Sequence, residues 1–430
     1  MKSKAYRASN VKDADVAGWT QGHETEAAVI GLDISKHDIR AVLRWPDGSF
    51  ERPLKADNPA QIPELVGLLQ RLAQGRSLRI ALEPTGTYGD PLRQALADAG
   101  LTAVRVSPKA AHDYAEVFDG VPSQHDGKDA AVVAELAALG KASLWPLHRS
   151  AQDQELAYWV DRLEAQRRIL VVWSGRLEGL LARHWPEATH VLGLRSAVLL
   201  RCLARYGGPA GLAADGQALE RVRRWGGPLL SAAKAEALLA AAAKSLGVRQ
   251  GTFDVRRMQE YAEAVLSARR EMSACRRRLQ ALAEDNAVLK AQAAVVGGAT
   301  ACVLWVTVGD PRDYTNGGAY RKAMGLNLTE RSSGRWQGRI HISCRGSKEA
   351  RRWLYYGALR LSRQEGVQAW FQDKKARDGG LAGRALVAVV RKLALALYRV
   401  GVCGEVFQAR RLFAERAGHQ DTKEGKKTSV

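Results

Sequence analysis

The sequence predicts an α/β domain first, then a coiled-coil region, then a mostly helical domain. Three observations carry that prediction. Short apolar runs alternate with amphipathic helical stripes between residues 27 and 150. Apolar residues then recur every seven positions in two long stretches, around Leu156–Leu177 and Met258–Leu289. Beyond residue 293 helical patterns dominate again and positive charge is concentrated: residues 331–399 hold 16 Lys+Arg against 4 Asp+Glu, whereas residues 28–149 hold 14 against 15.

Residues 1–26 mix charges without periodicity and read as a disordered tail. Their lack of an apolar run excludes a signal peptide as the reading of this segment. The first domain, residues 27–150, opens with Ala27-Ala28-Val29-Ile30-Gly31-Leu32-Asp33, an apolar strand ending in a carboxylate. Ile39–Trp45 and Ser49–Leu54 flank the turn signal Pro46-Asp47-Gly48 and read as a hairpin. Asn58 opens a helix whose Ile62, Leu65, Leu68, Leu69 and Leu72 share one stripe. Leu78–Leu82 is a second buried strand, closed by Glu83-Pro84. A helix from about Asp90 to Ala99, a strand over Leu101–Val106 and a helix from Pro108 follow, with a last helix starting near Asp126. A strand meander followed by alternating helices and strands suits an RNase H-like domain.

The second region, 151–292, holds two heptad patterns separated by an Ala/Gly/Leu-rich helical insertion at about 186–250. In the second pattern Met258, Val265, Met272, Leu279 and Asn286 fall at a, and Tyr261, Ala268, Cys275, Leu282 and Leu289 at d. A polar a residue such as Asn286 is a device for setting register. The two heptad helices pair either with each other as an antiparallel hairpin or with those of another subunit. The uncharged stretch Ala291–Gly309 contains Gln292, Gly297-Gly298 and two threonines, and reads as a buried helix rather than a membrane span. The C-terminal domain covers 293–415, and 416–430 reads as a disordered tail.

Of 430 residues, 65 are Lys or Arg and 45 Asp or Glu, a net charge of +20 that favours a polyanionic partner, usually nucleic acid. With 46% hydrophobic residues the chain is not disordered as a whole. The five cysteines are scattered and odd in number, which argues against a disulfide framework or a zinc ribbon, and a cytoplasmic protein is expected.

Four acids stand where metal chemistry needs them. Asp33 ends the first strand and Glu83 the second. Asp126 and Asp129, three apart at a helix start, share a helix face. Carboxylates gathered at adjacent strand ends repel one another unless divalent cations neutralise them, and hard oxygen donors favour Mg²⁺ or Mn²⁺. Singly, Asp33 reads equally as a turn former and Asp126 as a helix cap.

A second constellation lies in the basic half. Ser332-Ser333-Gly334 is an exposed turn framed by Arg331, Arg335, Arg339 and Arg345, with Lys348, Arg351 and Arg352 lining the start of the next helix. Cations around a serine can activate it as a nucleophile or stabilise charge on a phosphate it attacks. Such a loop can equally bind phosphate without chemistry.

Together these motifs resemble one family. Gly31–Lys36, Glu83–Tyr88 and Asp126–Ala130 are similar to the N-terminal domain of IS110-family transposases, bridge-RNA-guided recombinases related to Piv-type DNA invertases. Gly325, Leu326, Ser333, Gly334, Arg339, Ile340, Ser343, Gly346, Arg351, Leu354 and Tyr355, with Val390–Tyr398, resemble the same family's transposase domain. The chain departs from the usual pattern at Cys344, where a lysine is common, at Val295–Gly298 and at Gln124-His125. The resemblance implies a RuvC-like D-E-D-D site in which Asp33, Glu83, Asp126 and Asp129 bind Mg²⁺. It implies Ser333 as a nucleophile that forms a covalent DNA adduct, with Ser332 the competing hydroxyl. It also implies donor and target DNA, a structured noncoding bridge RNA, and homodimers joining into a tetramer, in a cytoplasmic, nucleoid-associated setting without a membrane. The alternatives are a junction or RNA–DNA nuclease using the acids alone, and a catalytically inactive DNA-binding regulator.

Overall fold

A computed structural model describes residues 7–84, 86–119, 126–145, 150–330, 332–333, 338 and 340–413. The chain divides into two units, Met1–Arg149 and Ser150–Val430.

The first unit is built on one seven-stranded mixed sheet. Its strands and helices run β1 (Ser9–Asn10), α1 (Val16–Thr20), β2 (Ala28–Ile34), β3 (Asp38–Arg44), β4 (Leu54–Asp57), α2 (Ile62–Ala73), β5 (Leu78–Leu82), α3 (Asp90–Asp98), β6 (Ala103–Val106), α4 (Pro108–Asp119), α5 (Asp126–Ala138) and β7 (Ala142–Leu144). The order across the sheet is β1-β4-β3-β2-β5-β6-β7. Strands β2, β3 and β4 form an antiparallel meander, and β5 and β6 run parallel to β2. This is the expected RNase H-like arrangement. Helix α2 places Leu65, Leu68, Leu69 and Leu72 against the buried side chains of β2, β3 and β5, as its stripe predicts.

Two expectations for this unit need correction. The hairpin after Pro46-Asp47-Gly48 pairs Ala41 with Leu54, so β4 begins at Leu54 and only an Arg44–Phe50 bridge lies nearer the turn. Pro53 has no N–H to give a ladder, and its carbonyl accepts from Ser9 instead. That bond brings in the second correction. Residues 7–26 are not a disordered tail: β1 adds a parallel strand beside β4, Val11 is buried, and His23 stacks on Trp45 at 4.2 Å.

The second unit is mostly helical. Two long helices, α6 (Ala151–His184) and α12 (Thr252–Glu284), pack on each other within the chain, and between them lie five short helices, α7 (Ala188–Val191), α8 (Ala197–Tyr206), α9 (Pro209–Ala214), α10 (Ala218–Gly226) and α11 (Ala232–Ala243). Ion pairs Glu155–Arg278 and Arg162–Glu271 fix the antiparallel direction. The pair contributes to two cores. One end, with Leu156, Leu163, Met272 and Leu279, joins the core of the following helices. The other, with Leu177, Leu181, Met258 and Val265, joins the core of the 186–250 insertion. Asn286 is not a heptad residue. Helix α12 stops at Glu284, and the Asn286 side chain caps α13 (Ala287–Val296) by accepting from Val288 and Leu289 N–H. The stretch read as one buried helix is two, because Gly297 takes a left-handed φ of 85° and starts α14 (Gly298–Val308). No helix among the described residues is long and apolar enough to cross a membrane. The remaining elements are α15 (Gly317–Ala323), β8 (Leu328–Thr329), β9 (His341–Ile342), α16 (Lys348–Leu361), α17 (Glu365–Arg377), α18 (Ala382–Cys403) and α19 (Ala409–Leu412). The expected tail 416–430 lies outside the described residues.

Candidate functional site: an acid quartet and a basic serine hairpin

The acids meet because of sheet register. Strands β2 and β5 pair in parallel with Leu32 opposite Leu82, so Asp33 and Glu83 leave the same end of neighbouring strands. Helix α5 crosses β2 at Gly31. A Cβ there would lie 2.1 Å from the Ala130 carbonyl oxygen and 2.5 Å from the Ala134 nitrogen. Only glycine lets backbone approach backbone so closely, and that approach brings Asp126 and Asp129, in the first turn of α5, to the strand ends.

The electrostatics record the convergence. Burial pushes the Asp33 carboxyl up to about 6, and repulsion from Asp129, Glu83 and Asp126 adds to it. Burial, with the Asp129 charge beside it, also raises Glu83. All four predicted acids therefore share one neighbourhood. One cation that the sequence reading missed stands there, and a second basic residue lies close in sequence. Arg40 is the cross-strand partner of Asp33 and its Nε lies 3.6 Å from Asp126 Oδ2. Lys128, between the two aspartates, is buried. The alternation of β3 carried the signal for Arg40, since the residue opposite Asp33 shares its face. Among the described residues, no three acidic, histidine or cysteine side chains already stand in a ligating arrangement. The donor chemistry still fits a hard divalent cation. Burial first, and then the like charges of Asp129, Glu83 and Asp126, raise the Asp33 carboxyl to about 6, and a bound cation would offset both.

The serine lies in the second unit, on a hairpin. Strands β8 and β9 pair with Leu328 opposite Ile342, and the segment between them carries Ser332 and Ser333, both exposed. The hydroxyl of Ser332 donates to Glu330 Oε1 at 2.6 Å and accepts from Gly338 N–H at 3.3 Å. Among the described residues nothing hydrogen-bonds the Ser333 hydroxyl. The hairpin root is closed by two glycines: a Cβ on Gly346 would lie 2.3 Å from the Ala323 carbonyl oxygen, and Gly325 has a left-handed φ of 70°.

The predicted cations divide into three groups. Arg331, Arg335 and Arg339, with Gly334, lie outside the described residues. Arg345 and Lys348 are exposed beside the hairpin. Arg351 and Arg352 are turned to structural work. Arg351 donates to the carbonyls of Met324 and Gly346 at the hairpin root. Arg352 donates to Glu164 on α6 at 2.5 Å, and Trp353 and Arg167 donate to the same carboxylate.

Comparison with known proteins settles the family. A model described as a transposase, the DEDD domain of IS110, matches residues 30–186, and one described as transposase IS116/IS110/IS902 family matches 291–373. The chain belongs to the IS110 family of transposases. It is 25% identical over 407 residues to the insertion element IS110 uncharacterized 43.6 kDa protein of Streptomyces coelicolor, covering 90% of this chain and 97% of that one. Among solved structures, T. thermophilus RuvC in complex with a Holliday junction substrate is matched with 15% identity over 28% of this chain and 99% of that chain, at a TM-score of 0.22. IS110-family transposases are DNA-cleaving and rejoining enzymes, and DEDD domains generally work with divalent metal ions.

Proposed function

We propose that this IS110-family chain cuts and rejoins DNA through a covalent intermediate on Ser333, with Asp33, Glu83, Asp126 and Asp129 as ligands of Mg²⁺ or Mn²⁺. The observation that carries the reading is the placement of Asp33 and Glu83 at the same end of neighbouring strands, with Asp126 and Asp129 in the first turn of the helix that Gly31 lets onto them, in a chain that also exposes a serine on a hairpin. The Ser333 oxygen attacks a backbone phosphorus. A serine–phosphate ester forms, one P–O bond of the DNA breaks, and the released DNA hydroxyl carries away a proton. The ester conserves the bond energy, so a second DNA hydroxyl can displace the serine and reseal the strand. Mg²⁺ or Mn²⁺ held by Asp33, Glu83, Asp126 and Asp129 would supply charge stabilisation at the phosphate under attack. Arg345 and Lys348 hold the flanking phosphates. Ser333 is favoured over Ser332 because it stands directly before Gly334, as in the family's pattern; Ser332, whose hydroxyl donates to the Glu330 carboxylate, is the competing nucleophile that the test separates.

The proposal extends to a structured RNA from the element's noncoding end that pairs with donor and target DNA. It extends also to dimers joined as a tetramer, in which the acids of one subunit serve the serine of another, in a nucleoid-associated setting. The test incubates the protein and its RNA with donor and target DNA and looks for a protease-sensitive protein–DNA adduct. The expected result is an adduct with wild type and Ser332→Ala and none with Ser333→Ala, which still binds DNA. Cleavage by Ser333→Ala without any adduct would refute the serine role and leave the acids acting alone.

A further inference from the structure

Arg40 reaches the acid quartet from the neighbouring strand. It stands directly opposite Asp33 in the β2–β3 register, so the two side chains leave the same face of the sheet. That face is the one α5 covers, because Val42, two residues further along β3, packs against Ala130 and Ala131. Arg40 therefore meets the first turn of α5, and its Nε lies 3.6 Å from Asp126 Oδ2.

The guanidinium is shared between two carboxylates and held tightly by neither. Its contact with Asp126 is an ion pair longer than a hydrogen bond. The same Nε is buried and has no hydrogen-bond partner among the described residues. On its other side, Nη2 donates to Asp38 Oδ2 at 3.4 Å, near the limit for such a bond. Lys55 lies 3.7 Å from that same Asp38 oxygen. The partners differ in access to water: the Arg40 side chain is 21% exposed and that of Asp126 63%. An ion from solution can reach Asp126, while Arg40 stays anchored on the sheet.

Charge and distance decide what such an ion does. A divalent cation carries twice the charge of a guanidinium and takes a carboxylate oxygen at about 2.0–2.6 Å, well inside the reach of the Arg40 contact. The ion and the guanidinium repel one another, so both cannot keep Oδ2. Asp38 leaves Arg40 an anion to hold once Asp126 is taken.

We propose that Arg40 competes with the divalent ion for Asp126. It is a positioning residue: it holds this carboxylate in the quartet until the ion takes it, and so sets the ion concentration at which the site loads. The inference rests on the reading of Asp33, Glu83, Asp126 and Asp129 as metal ligands and asks nothing of Ser333.

The test titrates full-length protein with MnCl₂ at pH 7 and follows the melting temperature, with no DNA and no turnover. Arg40→Gln keeps much of the side chain and removes the charge. Its half-maximal gain in melting temperature is expected at an Mn²⁺ concentration about three- to five-fold below that of wild type, the factor a partly exposed ion pair supports. A purely structural arginine would instead change the melting temperature equally at every Mn²⁺ concentration. In EDTA, Arg40→Gln costs less melting temperature in the Asp126→Asn background than in wild type, because the pair is already gone. Arg40→Lys keeps the charge without the fork, shifts the midpoint the same way by less, and serves if the glutamine variant does not fold. An unchanged or raised Mn²⁺ midpoint in the folded variants overturns the competition, as does an equal loss in EDTA with and without the Asp126 carboxylate. If Mn²⁺ stabilises wild type but not through a midpoint that Arg40 moves, only this inference fails. If it stabilises neither wild type nor Arg40→Gln, the metal reading falls and this inference with it.

Discussion

Replacing Asp33 by Asn isolates the cost of gathering four acids. The carboxyl of Asp33 titrates at about 6 where an ordinary one titrates at 3.8, with burial the largest cause and three carboxylates behind it. Holding it ionised at neutral pH therefore destabilises the fold by about 3 kcal/mol before screening. Asp33 keeps partial access to water, which reduces this to about 1–2 kcal/mol. The sign follows from linkage. A carboxyl whose pKa is raised by folding imposes no penalty while it is protonated in both states, below about pH 4. The penalty grows between 3.8 and about 6 and is complete above that. In a chelated buffer Asp33→Asn is thus expected to melt about 3–6 °C above wild type at pH 7 and within about 1 °C of it near pH 4. Calorimetry of the full chain across that range reads the difference. Adding Mn²⁺ or Mg²⁺ at pH 7 raises the melting temperature of wild type, since a ligand bound only by the folded state stabilises it, and raises that of the variant less. A variant less stable than wild type at pH 7 without metal would refute the reasoning, because Asp33 would then be a structural cap rather than a strained ligand.

Two further substitutions test how the sites are held. Gly31→Ala places a methyl against the Ala130 carbonyl and the Ala134 nitrogen, costs about 1–3 kcal/mol by chemical denaturation, and lowers metal-dependent cleavage as α5 is pushed from β2; a neutral effect on both would show that the close contact is not required. Glu164→Gln leaves Arg352 and Arg167 without their shared charge and costs about 2–4 kcal/mol. Burial raises the Glu164 carboxyl, but Arg167, Trp353 and Arg352 more than reverse this, so its stabilisation is present at neutral pH and lost on acidification below the ordinary glutamate range; a pH-independent difference between variant and wild type would contradict that assignment.

Much of the first unit was legible because its signals are local. Asp33 follows the apolar residues of β2, and Glu83 follows β5, whose run is broken only by Arg79. Asp126 and Asp129 were legible from their i,i+3 spacing. What the sequence hides is distance along the chain. Arg352 reads as a phosphate contact until Glu164, 188 residues earlier, is placed beside it. Val11 reads as part of a polar tail until β4 supplies the edge that β1 joins. Asn286 fits a heptad by counting, yet the same residue type is also a strong helix cap, and counting cannot choose between them. The insertion was opaque because its Ala and Leu residues complete a core only against Leu177, Leu181 and Met258 from the two long helices.

The two groups that our proposal assigns to the chemistry, Asp33 and Ser333, both stand beside close backbone contacts made by glycine. Asp33 lies two residues beyond Gly31, whose lack of a Cβ lets α5 sit on β2. Ser333 lies on a hairpin whose root closes through Gly325 and Gly346. The contrast with the structural groups nearby is physical. Glu164 is fixed by three donors, and a carboxylate so satisfied has little capacity left for a substrate. A ligand carboxylate or a nucleophilic hydroxyl must instead be held with its own hydrogen-bonding capacity in reserve, at a cost in stability that the surrounding fold offsets. Close glycine contacts provide that kind of support, because they fix the main chain and leave the side chain free. On this argument substitutions at Gly31, Gly325 and Gly346 impair the chemistry as severely as substitutions of the acids or the serine, although none of the three glycines supplies a reacting atom.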